Sequence, residues 1–221
     1  MTPLLQVALD VLNIEQAISI ASAAIRGGVD IIEAGTPLIH KFGLTGVLPE
    51  LRKISRGHMI VADLKIADAG YISAKMAFEN GANIVTVLCA SSDKTILGAI
   101  EAAQEYEGKV MADLIVSKDI EKDIEKVMSL GVDFILVHTG LDEQQKGKSA
   151  LDILKEPSIQ IPPDKLAVAG GINPENITHV LKFNPAIIIV GGAIIRSKDP
   201  EMETRRLKTI ITEYLGQTDK H

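Results

Sequence analysis

The chain has 221 residues, 46% hydrophobic and 24% charged, with 23 Lys+Arg against 29 Asp+Glu and a formal net charge of −6. An acidic balance with 3% aromatics and no Trp excludes a binder of phosphate backbones, which needs a basic face and stacking rings, so no nucleic-acid partner is expected. One cysteine, Cys89, leaves no internal disulfide framework; with no basic leader at Met1 to Asp10 and no apolar run near the ~20 residues that span a bilayer, a soluble cytoplasmic protein without membrane contact is expected.

Short β-branched runs alternate with longer stretches of helical periodicity. The first strand is predicted at Leu5–Asp10 and its helix at Ile14–Arg26. Asp30–Ala34 and Leu44–Ile54 form the second unit, Met59–Leu64 and Tyr71–Asn80 the third, Ile84–Leu88 and Lys94–Tyr106 the fourth. Val110–Ile115 with Ile120–Leu130 and Asp133–Val137 with Ala150–Lys155 follow, the latter pair separated by an irregular stretch from Thr139 to Ser149. Leu166–Ala169 with Pro174–Leu181 and Ala186–Val190 with Pro200–Leu215 complete eight units. Strands this uniformly apolar are buried on both faces. Gly28-Val29-Asp30, Gly81-Ala82-Asn83 and Gly131-Val132-Asp133 repeat one phrase, in which glycine ends a helix in a left-handed turn and a strand follows. Eight βα units with no linker between them predict a single-domain TIM (β/α)8 barrel over residues 1–221. An open doubly wound sheet would need a glycine fingerprint after the first strand, and Asp10-Val11-Leu12-Asn13 is not one.

Barrel chemistry collects where the strands end. Asp10, Glu33, Asp63, Lys65, Asp113 and His138 all fall there, so they are predicted to share one face. Asp63 and Lys65 are two apart and share a side of their strand, and an inward lysine needs surrounding carboxylates, which Asp10, Asp63 and Asp68 can supply. Glu33 and Asp63 suit a hard cation such as magnesium; spacing leaves open whether they instead form ion pairs around Lys65. His138 is a candidate proton shuttle. His40, His58, His179 and His221 lack such placement and read as surface or boundary residues. Gly170-Gly171 and Gly191-Gly192 follow the last two strands, where backbone N–H groups of barrels cradle phosphate, and they predict a substrate with a terminal phosphate.

Gln6-Val7-Ala8-Leu9-Asp10, Glu33-Ala34-Gly35-Thr36-Pro37, Ala62-Asp63-Leu64-Lys65-Ile66-Ala67-Asp68-Ala69-Gly70, His138-Thr139-Gly140-Leu141-Asp142 and Ala169-Gly170-Gly171-Ile172 occur in order. Together they resemble the 3-hexulose-6-phosphate synthases of the orotidine 5′-monophosphate decarboxylase superfamily, from about Leu5 to Ala193. The resemblance implies a reversible, magnesium-dependent aldol condensation of D-ribulose 5-phosphate with formaldehyde, through a metal-stabilised enediolate. It implies Glu33 and Asp63 as Mg2+ ligands, Lys65 at the enediolate oxygen, His138 in proton transfer, and a homodimer in which Asp68 reaches the partner's site. Asp10 joins the catalytic set, and Asp113 with the four glycines is expected to contact substrate. In the related 3-keto-L-gulonate 6-phosphate decarboxylases an arginine is typical where Leu141 stands here, which favours the synthase. The alternative of another class is a non-catalytic sugar-phosphate-binding barrel, disfavoured by the intact acid-lysine-acid set. The chain departs from the family at Phe42, where an acidic residue is frequent, and at Cys89-Ala90, where Cys89 is placed to narrow the site.

Overall fold

Alternation of inward and outward side chains, with period two, builds the architecture. Val7, Ile32, Ile60, Val85, Val110, Ile135 and Val168 join one large core with the surrounding helices. Their strand neighbours Ala8, Ile31, Val61, Ile84, Met111 and Leu136 pack against one another in a second core. A second core drawn from the strands alone, with no helix packed on it, requires the sheet to close on itself, and the computed structural model, which describes residues 2–147, 149–156 and 160–218, shows that closure.

Strands β1 (Leu4–Leu9), β2 (Ile31–Ala34), β3 (Met59–Ile66), β4 (Ile84–Leu88), β5 (Lys109–Asp113), β6 (Phe134–His138), β7 (Leu166–Ala169) and β8 (Ile187–Val190) form one closed parallel barrel in chain order. The seam pairs Leu4 with Ile187 and Val7 with Val190. The expected helices are present as α1 (Ile14–Gly27), α3 (Leu44–Ile54), α4 (Gly70–Glu79), α5 (Asp93–Glu105), α6 (Ile120–Leu130), α8 (Ala150–Leu154), α9 (Ile177–Leu181) and α11 (Pro200–Thr218). Three further short helices occur among the described residues: α7 (Leu141–Gln144), within the stretch expected to be irregular, and α2 (Thr36–Phe42) and α10 (Gly192–Ile195), where no element was assigned. Each is too short to show helical periodicity in sequence. Helix α9 starts later than expected because Asn173 closes the preceding turn, its Oδ1 accepting from the N–H groups of Glu175 and Asn176. Strand β5 ends earlier because the Asp113 carboxylate takes the N–H of Ile115 at 2.9 Å and turns the chain. No helix among the described residues is long and apolar enough to cross a membrane.

The recurring glycine phrase has a shared structural role. Gly28, Gly81 and Gly131 adopt φ of 94°, 100° and 88°, the left-handed conformation expected of them. Two residues later, a carboxyl or amide oxygen caps the start of the preceding strand. Asp30 accepts from Leu5 N–H at 2.7 Å, Asn83 from Ile60 at 2.9 Å, and Asp133 from Val110 at 2.9 Å. The repeat spans two βα units because the acceptor precedes an even-numbered strand and serves an odd-numbered one. The fourth pair lacks it, Pro185-Ala186 standing where an acid would, and there only the Ala186 N–H to Leu166 carbonyl bond remains.

At the closed end of the barrel these caps also collect cations: Lys208 on Asp30 at 2.7 Å, Lys109 on Asp133 at 3.1 Å, and Arg52 on Asn83 at 2.7 Å. Asn83→Ala leaves the Ile60 N–H and the Arg52 guanidinium without their shared acceptor. A loss of about 1–3 kcal/mol is expected, or ~2–4 °C in Tm per kcal/mol for a chain of this size, measured by thermal denaturation. An unchanged Tm would show that the repeated oxygen does not support the barrel.

Candidate active site

The same period of two that fills the barrel interior with apolar residues puts a polar layer at its open end. Glu33 lies two residues beyond Ile31, Asp63 two beyond Val61, Thr86 two beyond Ile84, Asp113 two beyond Met111, and His138 two beyond Leu136. Above this layer opens a cavity of about 640 Å³, bordered by the ends of the strands and the loops that follow them.

Lys65 is the centre of the layer. Its ammonium donates to Asp63 Oδ2 at 2.5 Å and lies 3.5 Å from Asp113 Oδ2, with the side chain 24% exposed. Asp63 and Lys65 do share the cavity, but not by simple alternation. Pairing of β3 with β4 shifts between Ala62 and Ile66, and Lys65 sits at φ 46°, a left-handed conformation costly for a residue with a side chain. Thr86 fixes that backbone: its hydroxyl accepts from the Lys65 N–H at 2.9 Å and donates to Asp63 Oδ1 at 2.8 Å. The Thr36 hydroxyl reaches the other Asp63 oxygen at 2.7 Å.

The charges bias one another. Burial opposes the ammonium of Lys65, yet Asp63, Asp113 and Glu33 outweigh it and raise its pKa. Burial likewise pushes Asp63 up, but the Lys65 ammonium with hydrogen bonds from Lys65, Thr36 and Thr86 holds its carboxyl below the usual range. Glu33 has no such neighbour: burial first, then repulsion from Asp63 and Asp10, raises it well above an ordinary glutamate, with Lys65 and Gln6 only partly opposing. Asp10 is raised by burial and by Asp63. It nestles against Gly35, where a Cβ would fall 2.3 Å from its Oδ1.

Asp113, expected to contact substrate, is fully buried and lies behind the cavity wall. The turn that ends β5 directs it inward, where Oδ2 meets His138 Nδ1 at 3.0 Å and the Lys65 ammonium. A carboxylate only accepts, so Nδ1 of His138 carries the proton in this pair and Nε2 is left for other work. Asp68 is exposed and does not border the cavity of its own chain. Gly170, Gly171, Gly191 and Gly192 all border it. Gly170 is further required by Thr139, whose carbonyl oxygen would lie 2.5 Å from a Cβ. His40 and His179 are exposed, His58 is partly buried against the Ser55 carbonyl, and His221 lies outside the described residues. Phe42 packs on the outer core.

Sequence reading missed Gln6, Thr36, Thr86 and Arg196, all of which border the cavity. Parity could have found Gln6 and Thr86, since each alternates with outward apolar residues; Thr36 and Arg196 belong to short helices or their ends, which left no periodic trace. Gln6 donates from Nε2 to Glu33 Oε2, while its Oε1 is buried without a partner among the described residues. Arg196 follows α10 directly and folds back over the first residue of that helix. A Cβ placed on Gly192 would lie 2.3 Å from one terminal nitrogen and 2.7 Å from the guanidinium carbon, so the space of a side chain at 192 is filled by the side chain of 196.

Glu33 and Asp63 are the residues suited to a hard cation. No group of three His, Cys, Asp or Glu side chains among the described residues makes a ready cage. Magnesium commonly uses only one or two carboxylates and completes its shell with water and substrate oxygens. The donor chemistry fits: two buried carboxylates, one lacking a charge partner of its own, beside the unpartnered Gln6 oxygen.

Residues 3–207 match the orotidine 5′-phosphate decarboxylase / HUMPS family. A 3-hexulose-6-phosphate synthase of Bacillus subtilis (strain 168) is 38% identical over 209 residues, covering 95% of this chain and 99% of that protein. A crystal structure of a 3-hexulose-6-phosphate synthase superposes with TM-score 0.86 at 38% identity, covering 93% of this chain and 98% of the other. A KGPDC from Streptococcus mutans superposes with TM-score 0.88 at 27% identity, covering 97% and 99%.

Cys89 does not narrow the cavity. It is fully buried, donates its thiol hydrogen to Asp123 Oδ2 at 3.5 Å, and does not border the opening. Burial, reinforced by the Asp123 carboxylate, pushes the thiol up to about 12. The folded thiol therefore stays protonated at pH 8, and a thiolate-directed reagent such as Ellman's should label it only after denaturation. Rapid labelling of the native protein at pH 8 would contradict this placement.

Proposed function

The chain belongs to the orotidine 5′-phosphate decarboxylase / HUMPS family, and on that premise we propose that it is a 3-hexulose-6-phosphate synthase, an enzyme of the lyase class that joins D-ribulose 5-phosphate to formaldehyde. The observation that carries this reading is the Lys65 ammonium, held between Asp63 and Asp113 at the floor of the cavity with His138 on the same Asp113 carboxylate. Removing a proton beside a ketone creates an oxyanion, and a fixed ammonium stabilises it as it forms.

Asp113 holds His138 by Nδ1, so Nε2 takes the proton from C1 of ribulose 5-phosphate. The C–H electron pair moves towards the C2 oxygen, and Lys65 stabilises the resulting enediolate. The C1–C2 π pair of the enediolate then attacks the formaldehyde carbon, the C2 carbonyl re-forms, and the aldehyde π pair moves to its oxygen, which takes the proton held on His138 Nε2 to give D-arabino-hex-3-ulose 6-phosphate. Held by Glu33 and Asp63, magnesium would supply further positive charge opposite the oxygens of the sugar. Leu141, 57% exposed at the rim, offers formaldehyde an uncharged neighbour. The phosphate rests against the loops of Gly170-Gly171 and Gly191-Gly192, and the Arg196 guanidinium beside them supplies the charge that backbone N–H groups lack. Held there, it gives binding energy remote from the reacting carbon.

Asp68 points the proposal towards a homodimer. It is exposed and outside its own cavity, and Ile72 and Met76 on the following turns of α4 are exposed apolar residues suited to a subunit contact. In this reading Asp68 completes the partner's site.

Purified protein with magnesium and ribulose 5-phosphate should consume formaldehyde, lose activity in EDTA, and lose roughly 10²–10³-fold in kcat as Lys65→Ala, the scale for removing one oxyanion donor. Preference for decarboxylating 3-keto-L-gulonate 6-phosphate, or tight sugar-phosphate binding without turnover, would replace this reading. Mixing inactive Asp68→Ala with inactive Lys65→Ala protein should restore partial activity, because each hybrid dimer rebuilds one complete site. Absence of recovery despite subunit exchange would show that each site is self-contained.

A further inference from the structure

Gln6 is a polar side chain in an apolar column. On β1 it stands between Leu4 and Ala8, both of which face the inner core, and its register partners on the two neighbouring strands are Ile31 and Ile189. The residue is fully buried, yet it borders the cavity. A buried amide is costly unless its donor and acceptor are both used, and an apolar side chain of the same size would fill this position without that cost. Nothing in barrel packing therefore calls for glutamine here.

Half of the amide has a clear task. Its Nε2 donates to Glu33 Oε2, and among the described residues this is the only side-chain hydrogen bond that Glu33 receives. Asp63, the other acid suited to a cation, is held by Lys65, Thr36 and Thr86. The three partners of Asp63 engage both of its oxygens, whereas Gln6 ties down one oxygen of Glu33 and leaves the other for a ligand. The second half of the amide, Oε1, is buried and unpartnered. With Nε2 committed to a carboxylate, the amide cannot turn over without setting two acceptors against each other.

We propose that Gln6 is a positioning residue for Glu33, and that its Oε1 is the acceptor for an O–H group carried into the cavity by the ligand. Two sources offer such a group: the water shell of a divalent cation, or a hydroxyl of the sugar. The inference rests on the proposed function for the identity of the sugar, and on the residues alone for the role of Gln6.

The test uses Gln6→Met, which keeps the length and removes both polar atoms, and Gln6→Glu, which keeps an acceptor but sets a second carboxylate against Glu33. Mn2+ affinity is followed by electron paramagnetic resonance without sugar, alongside KM and kcat for ribulose 5-phosphate and thermal denaturation of each variant. Gln6→Met should bind Mn2+ about 10–100-fold more weakly, the range for removing a partner that orients a metal ligand. Its Tm should fall by only a few degrees, because loss of the donor to Glu33 is offset by removal of the unpaired Oε1, so weaker Mn2+ binding will not reflect unfolding. A further rise in KM with ribulose 5-phosphate at saturating metal would assign Oε1 to the sugar hydroxyl; an unchanged KM there would assign it to the water shell. Gln6→Glu should not restore the affinity of Gln6→Met, since it removes the donor to Glu33. Unchanged Mn2+ affinity and unchanged KM in Gln6→Met would overturn the assignment, even in an active synthase. Weakened Mn2+ binding in Gln6→Met, in a protein that turns over no ribulose 5-phosphate, would overturn the proposed reaction and uphold the role of Gln6.

Discussion

The open end of the barrel is organised around one ammonium group. A lysine turned into a mostly buried layer is expensive unless carboxylates surround it, and here Asp63 and Asp113, from neighbouring regions of the layer, share that task. Its backbone is strained at φ 46°, and the Thr86 hydroxyl on the adjacent strand holds it there. Strain of this kind persists only where surrounding contacts over-determine it. The arrangement fixes a positive charge in place before any substrate arrives, which is the condition for stabilising an anion without reorganisation.

From that pair the other groups take their roles. Asp63, pinned by Lys65, Thr36 and Thr86, stays ionised, while Glu33, buried and repelled by the same Asp63, is poorly compensated. Two neighbouring carboxyls with opposite biases make a site that gains from an added cation. Asp113 couples the ammonium to His138 through a single buried carboxylate, so the cation and the imidazole share one anchor. Chemistry and stability are segregated along the barrel axis. At the far end, Asp30, Asn83 and Asp133 use the same residue types only to cap strands and to gather Lys208, Arg52 and Lys109.

Much of this was legible in the linear sequence. Uniformly apolar runs gave the strands, and the recurring phrase of Gly followed two residues later by Asp or Asn marked where helices end, because glycine alone enters the left-handed turn without penalty. Counting in twos from Ile31, Val61, Met111 and Leu136 leads to Glu33, Asp63, Asp113 and His138 before any coordinates are seen. Applied to Ile84 the same count would have found Thr86, and applied backwards from Ala8 it would have found Gln6. The amino-acid order thus determined which face of its strand each group occupies, since side-chain alternation is a property of the local backbone.

Tertiary structure decided who meets whom. That Asp113 retreats behind the wall depends on its own bond to the Ile115 N–H, and that it joins Lys65 to His138 depends on how three strands are staggered around a closed circle. That Lys65 faces the cavity despite a shifted register depends on Thr86, 21 positions away. The return of Arg196 over Gly192 depends on a helix of four residues, Gly192–Ile195, too brief to register as a period. Strand stagger and barrel closure arise from all eight strands at once, so distances between groups on different strands are written in no single segment.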